Sequence, residues 1–131
     1  MTDYKSNANV VFSSKWHVVF CPKYRLRVLV RGVGVRFKQI VEEMAERFKF
    51  AVLEMEVMPD HIHLLLEVDP SINIISMVGQ IKGFSSRVLR QEFPSLRSLP
   101  SLWTNSCFVS SVGGAPLEIV KRYIQEQKVH G

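Results

Sequence analysis

Residues 51–68 read AVLEMEVMPDHIHLLLEV, and their reading decides the fold. Ala51 to Met58 has the composition of a strand, Pro59-Asp60 is a turn pair, and His61 to Val68 is a second strand. Together they predict a β-hairpin. Residues two apart on a strand point to the same face. His61 and His63 therefore project together, while Ile62, Leu64 and Leu66 point the other way, into a core. Two imidazoles so placed can ligate one metal ion. On its own, a His-x-His pair more often marks two polar residues on the solvated face of an edge strand.

Upstream, Val10 to Cys21 alternates, with Trp16, Val18 and Phe20 on one side and Lys15, His17 and Val19 on the other, as in a half-buried strand. Phe37, Ile40, Val41, Met44 and Phe48 fall at helical spacing, with Glu42, Glu43, Glu46 and Arg47 outside them. Downstream, Ser71 is an N-cap candidate for a helix marked by Ile74, Val78, Ile81 and Val88 and running to about Phe93. Leu102 to Val112 reads as a strand, Gly113-Gly114 as a break, and Ala115 to Lys128 as a last helix with Pro116 in its first turn. The order β-α-β-β-α-β-α predicts an α+β fold, ferredoxin-like or RRM-like: an antiparallel sheet with helices on one face, plus a C-terminal helix. Residues 1–9 read as a loose tail and 10–131 as one domain.

The chain has 131 residues, with 17 Lys and Arg against 12 Asp and Glu, a net charge of +5. That excess favours a polyanionic partner, most commonly nucleic acid. Cys21 and Cys107 form no CxxC and suggest reduced thiols. With no apolar run near the ~20 residues of a membrane span, a cytoplasmic protein without membrane contact is expected.

Tyr123 and Gln127 lie four residues apart on the last helix and share a face. A Tyr there usually packs its ring and leaves its hydroxyl wet. Joined to the His pair, however, they complete a coherent site. His61, His63 and the amide oxygen of Gln127 are three neutral ligands that leave positions open for a phosphate oxygen and water. Tyr123 is then a nucleophile one turn from a ligand. A phenol with a pKa near 10 is only about one part in a thousand ionised at pH 7, so the metal field or a basic neighbour must help. Lys82, Lys121 and Lys128 are the candidates.

With these residues in place, the chain resembles the single-tyrosine HUH transposases of small bacterial insertion sequences. The likeness runs from about Trp16 to Lys128. It is carried by Trp16-His17-Val18-Val19-Phe20-Cys21-Pro22-Lys23-Tyr24-Arg25, by Glu56 to Leu64, by Lys82-Gly83-Phe84-Ser85-Ser86-Arg87, by Leu102-Trp103, and by Tyr123 to Gln127. The resemblance implies that His61, His63 and Gln127 hold Mg²⁺ or Mn²⁺. It implies that Tyr123 attacks a phosphodiester, leaving a 5′-phosphotyrosine and a free 3′-hydroxyl. The implied substrate is single-stranded DNA with a hairpin near each element end. The implied assembly is a homodimer whose Tyr helices can serve either subunit. Cys107 stands where relatives often carry an aromatic, so base stacking is not expected there.

Lys23, Tyr24, Arg25 and Arg27 form a basic, aromatic-bearing segment suited to DNA, and Lys82 and Arg87 add cations on a helix. His17 stands either behind the metal ligands or as a satisfied, partly buried imidazole. Gly79 and Gly83 share a helix face and suit either close DNA approach or close packing. Gly113 and Gly114 are a loop or a hinge for the Tyr helix. Rival readings are a domesticated relative acting on chromosomal palindromic repeats, a non-catalytic RNA-binding module of the same fold, and a hydrolytic metalloenzyme with a structural Tyr123.

Overall fold

The computed structural model describes residues 5–7, 10–12, 14–112 and 117–130, and only the backbone at 5–7, 10–12, 117–120 and 128–130. Gly113 and Gly114, and the side chain of Lys128, lie outside the described residues.

The elements run β1 (Lys5–Asn7), β2 (Val10–Phe12), β3 (Ser14–Phe20), α1 (Gly32–Phe48), β4 (Ala51–Met58), β5 (His61–Val68), α2 (Ile74–Glu92), β6 (Phe108–Ser111) and α3 (Leu117–His130). Strands β3 to β6 form one antiparallel sheet in the order β4-β5-β3-β6. This is the expected α+β architecture. Three boundaries differ from expectation. Strands β1 and β2 pair with each other in a small separate sheet, inside the stretch read as a tail and the start of the first strand. Asn73, not Ser71, caps α2: its side chain accepts a hydrogen bond from the Ser76 N–H at 3.1 Å. Ser71 instead bonds Asp69.

The third difference has a clear physical cause. The strand expected over Leu102 to Val112 is regular only over Phe108–Ser111, with an isolated bridge between Pro22 and Trp103. Trp103 has left the ladder for the core. Its ring sits edge-on to Phe20 at 4.7 Å and to Phe37 at 5.6 Å. Its indole N–H donates to Ser85 Oγ at 3.1 Å, so no polar group is stranded by the burial.

The alternation of β5 decides which face is covered. Ile62, Leu64, Leu66 and Val68 are fully buried against Phe37, Ile40, Val41 and Met44 of α1 and Met77, Val78, Ile81 and Leu89 of α2. Both helices thus pack on one face of the sheet, each through an apolar stripe at helical spacing. His61 and His63 are left on the other face, as the alternation requires. At Gly34, α1 packs tightly: an added Cβ would meet Val57 of the hairpin at 3.3 Å and the Leu29 carbonyl at 3.4 Å. Among the described residues, no helix is long and apolar enough to cross a membrane.

Candidate active site

Cross-strand partners share a face, so the register defines the site floor. His63 pairs with Glu56 on β4 and Val19 on β3, and Val19 pairs with Phe108 on β6. These four form a row across the open face. His17 sits beside the row, its Nδ1 3.1 Å from His63 Nε2 and the two rings stacked at 5.3 Å. His63 Nδ1 is 3.6 Å from the exposed Glu56 carboxylate.

His61 is held differently. Its Nδ1 lies 2.9 Å from Asp60 Oδ1, so Nδ1–H donates to the carboxylate and Nε2 is left free. Asp60 Oδ2 is in turn 3.1 Å from Arg25 Nε, an ion pair outside hydrogen-bond geometry. Burial raises the pKa of the Asp60 carboxyl, but the His61 hydrogen bond and the Arg25 charge together outweigh it, and the carboxyl stays below its usual range.

The helix α3 brings Tyr123 to the same face. The Tyr123 ring is 5.9 Å from that of Phe108. One hydroxyl links the two residues singled out on this helix. Ser106 Oγ donates to Gln127 Oε1 at 3.2 Å and lies 3.1 Å from Tyr123 Oη. A serine has one proton to give. With that proton on the Gln127 amide oxygen, the phenol must donate to Ser106. Gln127 is buried, and its Nε2 bonds the Tyr123 carbonyl at 3.1 Å. Burial raises the Tyr123 pKa, only partly offset by its side-chain hydrogen bonds with Ser106 and Thr104. The resting phenol is therefore harder to ionise than free tyrosine.

Lys82 builds the Ser106 loop. Its ammonium donates to the carbonyls of Thr104 at 2.7 Å and Ser106 at 2.9 Å. Burial lowers its pKa. Arg25 is likewise turned inward, its Nη1 donating to the Ile124 carbonyl at 3.3 Å and to Gln125 Oε1 at 3.4 Å. Both cations are thus engaged within the chain, whereas Tyr24, Arg27 and Arg87 are exposed. Lys23 reaches over the Tyr24 ring at 5.4 Å, and Arg87 lies over Phe84 at 5.0 Å. Lys121 is exposed on α3. Gly79 and Gly83 face open space, with nothing within 4 Å of an added Cβ, so close packing within the described chain does not account for them.

Cys21 is buried, and its thiol is pushed up to about 12, first by burial and then by the nearby Asp60 charge. It stays protonated at neutral pH and is therefore a poor nucleophile. Among the described residues, no three His, Cys, Asp or Glu side chains could hold a metal ion. The donor set nonetheless fits a divalent cation if an amide oxygen is the third ligand. His61 has the carboxylate-backed Nδ1–H typical of metal-bound imidazole, leaving Nε2 to bind. Ser106 and the inward turn of Arg25 were not legible in the sequence, because each acts on residues far away in the chain, and Asp60, read as a turn residue, gave no sign that it would hold the neighbouring His61 ring.

A family model described as "Transposase IS200 like" matches residues 10–127. The chain belongs to this transposase family. It is 33% identical to the ISDra2 transposase TnpA of Deinococcus radiodurans, over 95% of this chain and 91% of that protein. It is equally 33% identical to the transposase for insertion sequence element IS200 of Salmonella typhimurium, over 98% and 89%. A crystal structure from Deinococcus radiodurans R1, described as that of a transposase, superposes with a TM-score of 0.86 at 32% identity, covering 94% of this chain and 97% of that one. A REP-associated tyrosine transposase bound to a REP hairpin shares the fold, with a TM-score of 0.53 at 11% identity over 95% of this chain and 68% of that one. As an IS200-like transposase, the chain is an enzyme that cuts and rejoins DNA.

Proposed function

We propose that this transposase cuts and rejoins single-stranded DNA at hairpin-bearing element ends, with Tyr123 as the nucleophile. The observation that carries the reading is the shared hydroxyl of Ser106. It holds the Tyr123 phenol and the Gln127 amide oxygen together, on the face where His61 and His63 project. Tyr123 Oη gives up its proton as it forms a bond to phosphorus, and the P–O3′ bond breaks. The 3′ oxygen leaves as a hydroxyl, having gained a proton, and the 5′-phosphate stays on Tyr123 as a phosphodiester. Attack by a 3′-hydroxyl on that ester reverses the step, so rejoining needs no ATP. His61, His63 and Gln127 are the residues to hold Mg²⁺ or Mn²⁺, which when bound polarises the scissile phosphate and stabilises the leaving oxygen. Lys23, Tyr24 and Arg27, beside the site, and Arg87 on α2 are suited to the DNA, the Tyr24 ring to a base and the cations to phosphates. The hairpin in the related REP-associated structure supports a hairpin substrate.

The test is incubation with a library of hairpin-bearing single strands and Mg²⁺, scored for covalent adducts by denaturing gel. An adduct mapped by peptide mass spectrometry to Tyr123 is expected. Free 5′-phosphate ends without adduct would instead support the hydrolytic reading, with a structural Tyr123.

We also propose a homodimer whose sites can be shared. His61→Ala and Tyr123→Phe proteins, each inactive alone, should restore activity when mixed. Random exchange gives about half mixed dimers, so about a quarter of all sites should work. No rescue after co-expression and tandem purification through two tags would mean that each site is built within one chain.

A further inference from the structure

Arg25 lies 35 residues before Asp60 and about 100 before α3, yet its side chain touches both. The guanidinium is planar and presents its donors as a rigid fork. One side, Nε, faces Asp60 Oδ2; the other, Nη1, meets the Ile124 carbonyl and the Gln125 side chain. Asp60 uses its second oxygen on His61 Nδ1. An unbroken chain of contacts therefore runs from the helix turn that carries Tyr123, through Arg25 and Asp60, to the imidazole of His61. The contact with Ile124 is to backbone, so it fixes the helix itself and not merely a side chain.

Two further observations set Arg25 apart from a surface cation. Its side chain is only 13% exposed, as against 15% for Asp60, which leaves little of it for a phosphate. Its backbone is also unusual. Tyr24 and Arg25 both adopt the left-handed conformation, with φ of 57° and 52°, a rare choice for consecutive non-glycine residues. Such strain persists only where the surroundings over-determine it. Here the surroundings are Asp60 on one side and α3 on the other.

We infer that Arg25 is a positioning residue that registers the Tyr123 helix against His61 by bridging Asp60 and Ile124. The inference rests on the reading of Tyr123 as nucleophile and His61 as metal ligand, and it assigns Arg25 to alignment of the site, not to DNA binding. Lysine should not substitute, because its ammonium is a point charge at the end of the stem, whereas Arg25 meets Asp60 through Nε and α3 through Nη1, two separated positions on one rigid plane.

The test uses the full-length chain with Arg25→Ala, Arg25→Lys, Asp60→Asn and the Arg25→Ala/Asp60→Asn double variant. Mn²⁺ affinity is read by electron paramagnetic resonance without DNA. Amide hydrogen exchange is followed across residues 121–127, and kcat and KM are measured for adduct formation on a hairpin strand. Arg25→Ala should weaken Mn²⁺ binding about 10-fold, as expected when the support of a ligating imidazole is lost. It should speed exchange in α3 and lower kcat, while KM for DNA stays within about 2-fold. Arg25→Lys should not rescue. The double variant should bind Mn²⁺ no worse than Asp60→Asn alone, because the two residues act in series.

A raised KM with kcat, Mn²⁺ affinity and exchange unchanged would overturn the inference and make Arg25 a phosphate contact. Additive losses in the double variant would also overturn it. If Arg25→Ala does not fold, Arg25→Lys, which keeps charge and bulk, decides by the same readouts. Absence of any adduct from the wild-type chain would defeat the functional reading instead, and the exchange data would still judge the clamp.

Discussion

Tyr123→Phe should abolish the covalent protein–DNA adduct, lowering strand cleavage by at least about 1,000-fold while leaving hairpin binding within about 2-fold. The change removes one oxygen. The ring keeps its contact with Phe108, and Gln127 still reaches the backbone carbonyl of residue 123. The lost Ser106 bond is a neutral hydroxyl pair worth about 1 kcal/mol, too little to unfold the chain. Chemistry and folding therefore separate cleanly in this variant. Adduct yield on denaturing gels, beside hairpin affinity by fluorescence anisotropy, is the measurement. Substantial residual adduct in Tyr123→Phe would point to another nucleophile. Tyr24 is the candidate to examine next, being an exposed phenol on the adjoining turn, whereas the protonated Cys21 is not.

His61→Ala should lower cleavage by more than about 100-fold, and EDTA should have the same effect on the wild-type protein. Of the proposed ligands, His61 has the clearest free nitrogen, since Asp60 occupies Nδ1 and leaves Nε2. The effect should appear as lost Mn²⁺ binding together with lost cleavage, with hairpin affinity retained. The variant should fold, because the His61 side chain lies on the open face and contributes nothing to the cluster formed by Ile62, Leu64 and Leu66. Near wild-type cutting by His61→Ala in EDTA would refute the metal reading altogether. His63 should behave less simply. Its Nε2 is paired with His17 and its Nδ1 lies near Glu56, so occupation of the site must compete with those contacts.

Much of this architecture could be read from period alone. The alternation of β5 placed both imidazoles opposite the core, and the stripe from Phe37 to Met44 gave α1 its buried face. Such readings succeed because burial repeats at intervals of two or about 3.6 residues. What escaped has no period. Trp103 bends out of its strand because a large ring finds better contacts with Phe20 and Phe37 than the ladder offers, an outcome set by residues more than 60 positions away. Ser106 looks like any loop serine until α3 is folded over it. Lys82 falls on a polar face of α2, as a solvent-facing lysine would, but its stem carries the ammonium inward to two carbonyls. Arg25 stands in a basic run that suggests phosphate contacts, and only the tertiary fold sets a carboxylate beside it.

The left-handed turn at Tyr24 and Arg25 has a bearing on engineering. Each such residue costs about 1–3 kcal/mol, against a total stability of about 5–15 kcal/mol for a domain of this size. Glycine at position 24 would relieve part of that strain and toughen the protein, yet it would remove the exposed ring proposed to meet a base. Heat resistance and catalysis therefore pull this turn in opposite directions. Lys49 carries the same backbone strain as the left-handed cap of α1, with φ of 62°, at the opposite end of β4 from Asp60. A glycine is the natural occupant of such a cap. A hardier transposase is better sought at position 49, where rigidity is gained without touching the contacts of Arg25 with Asp60 and α3.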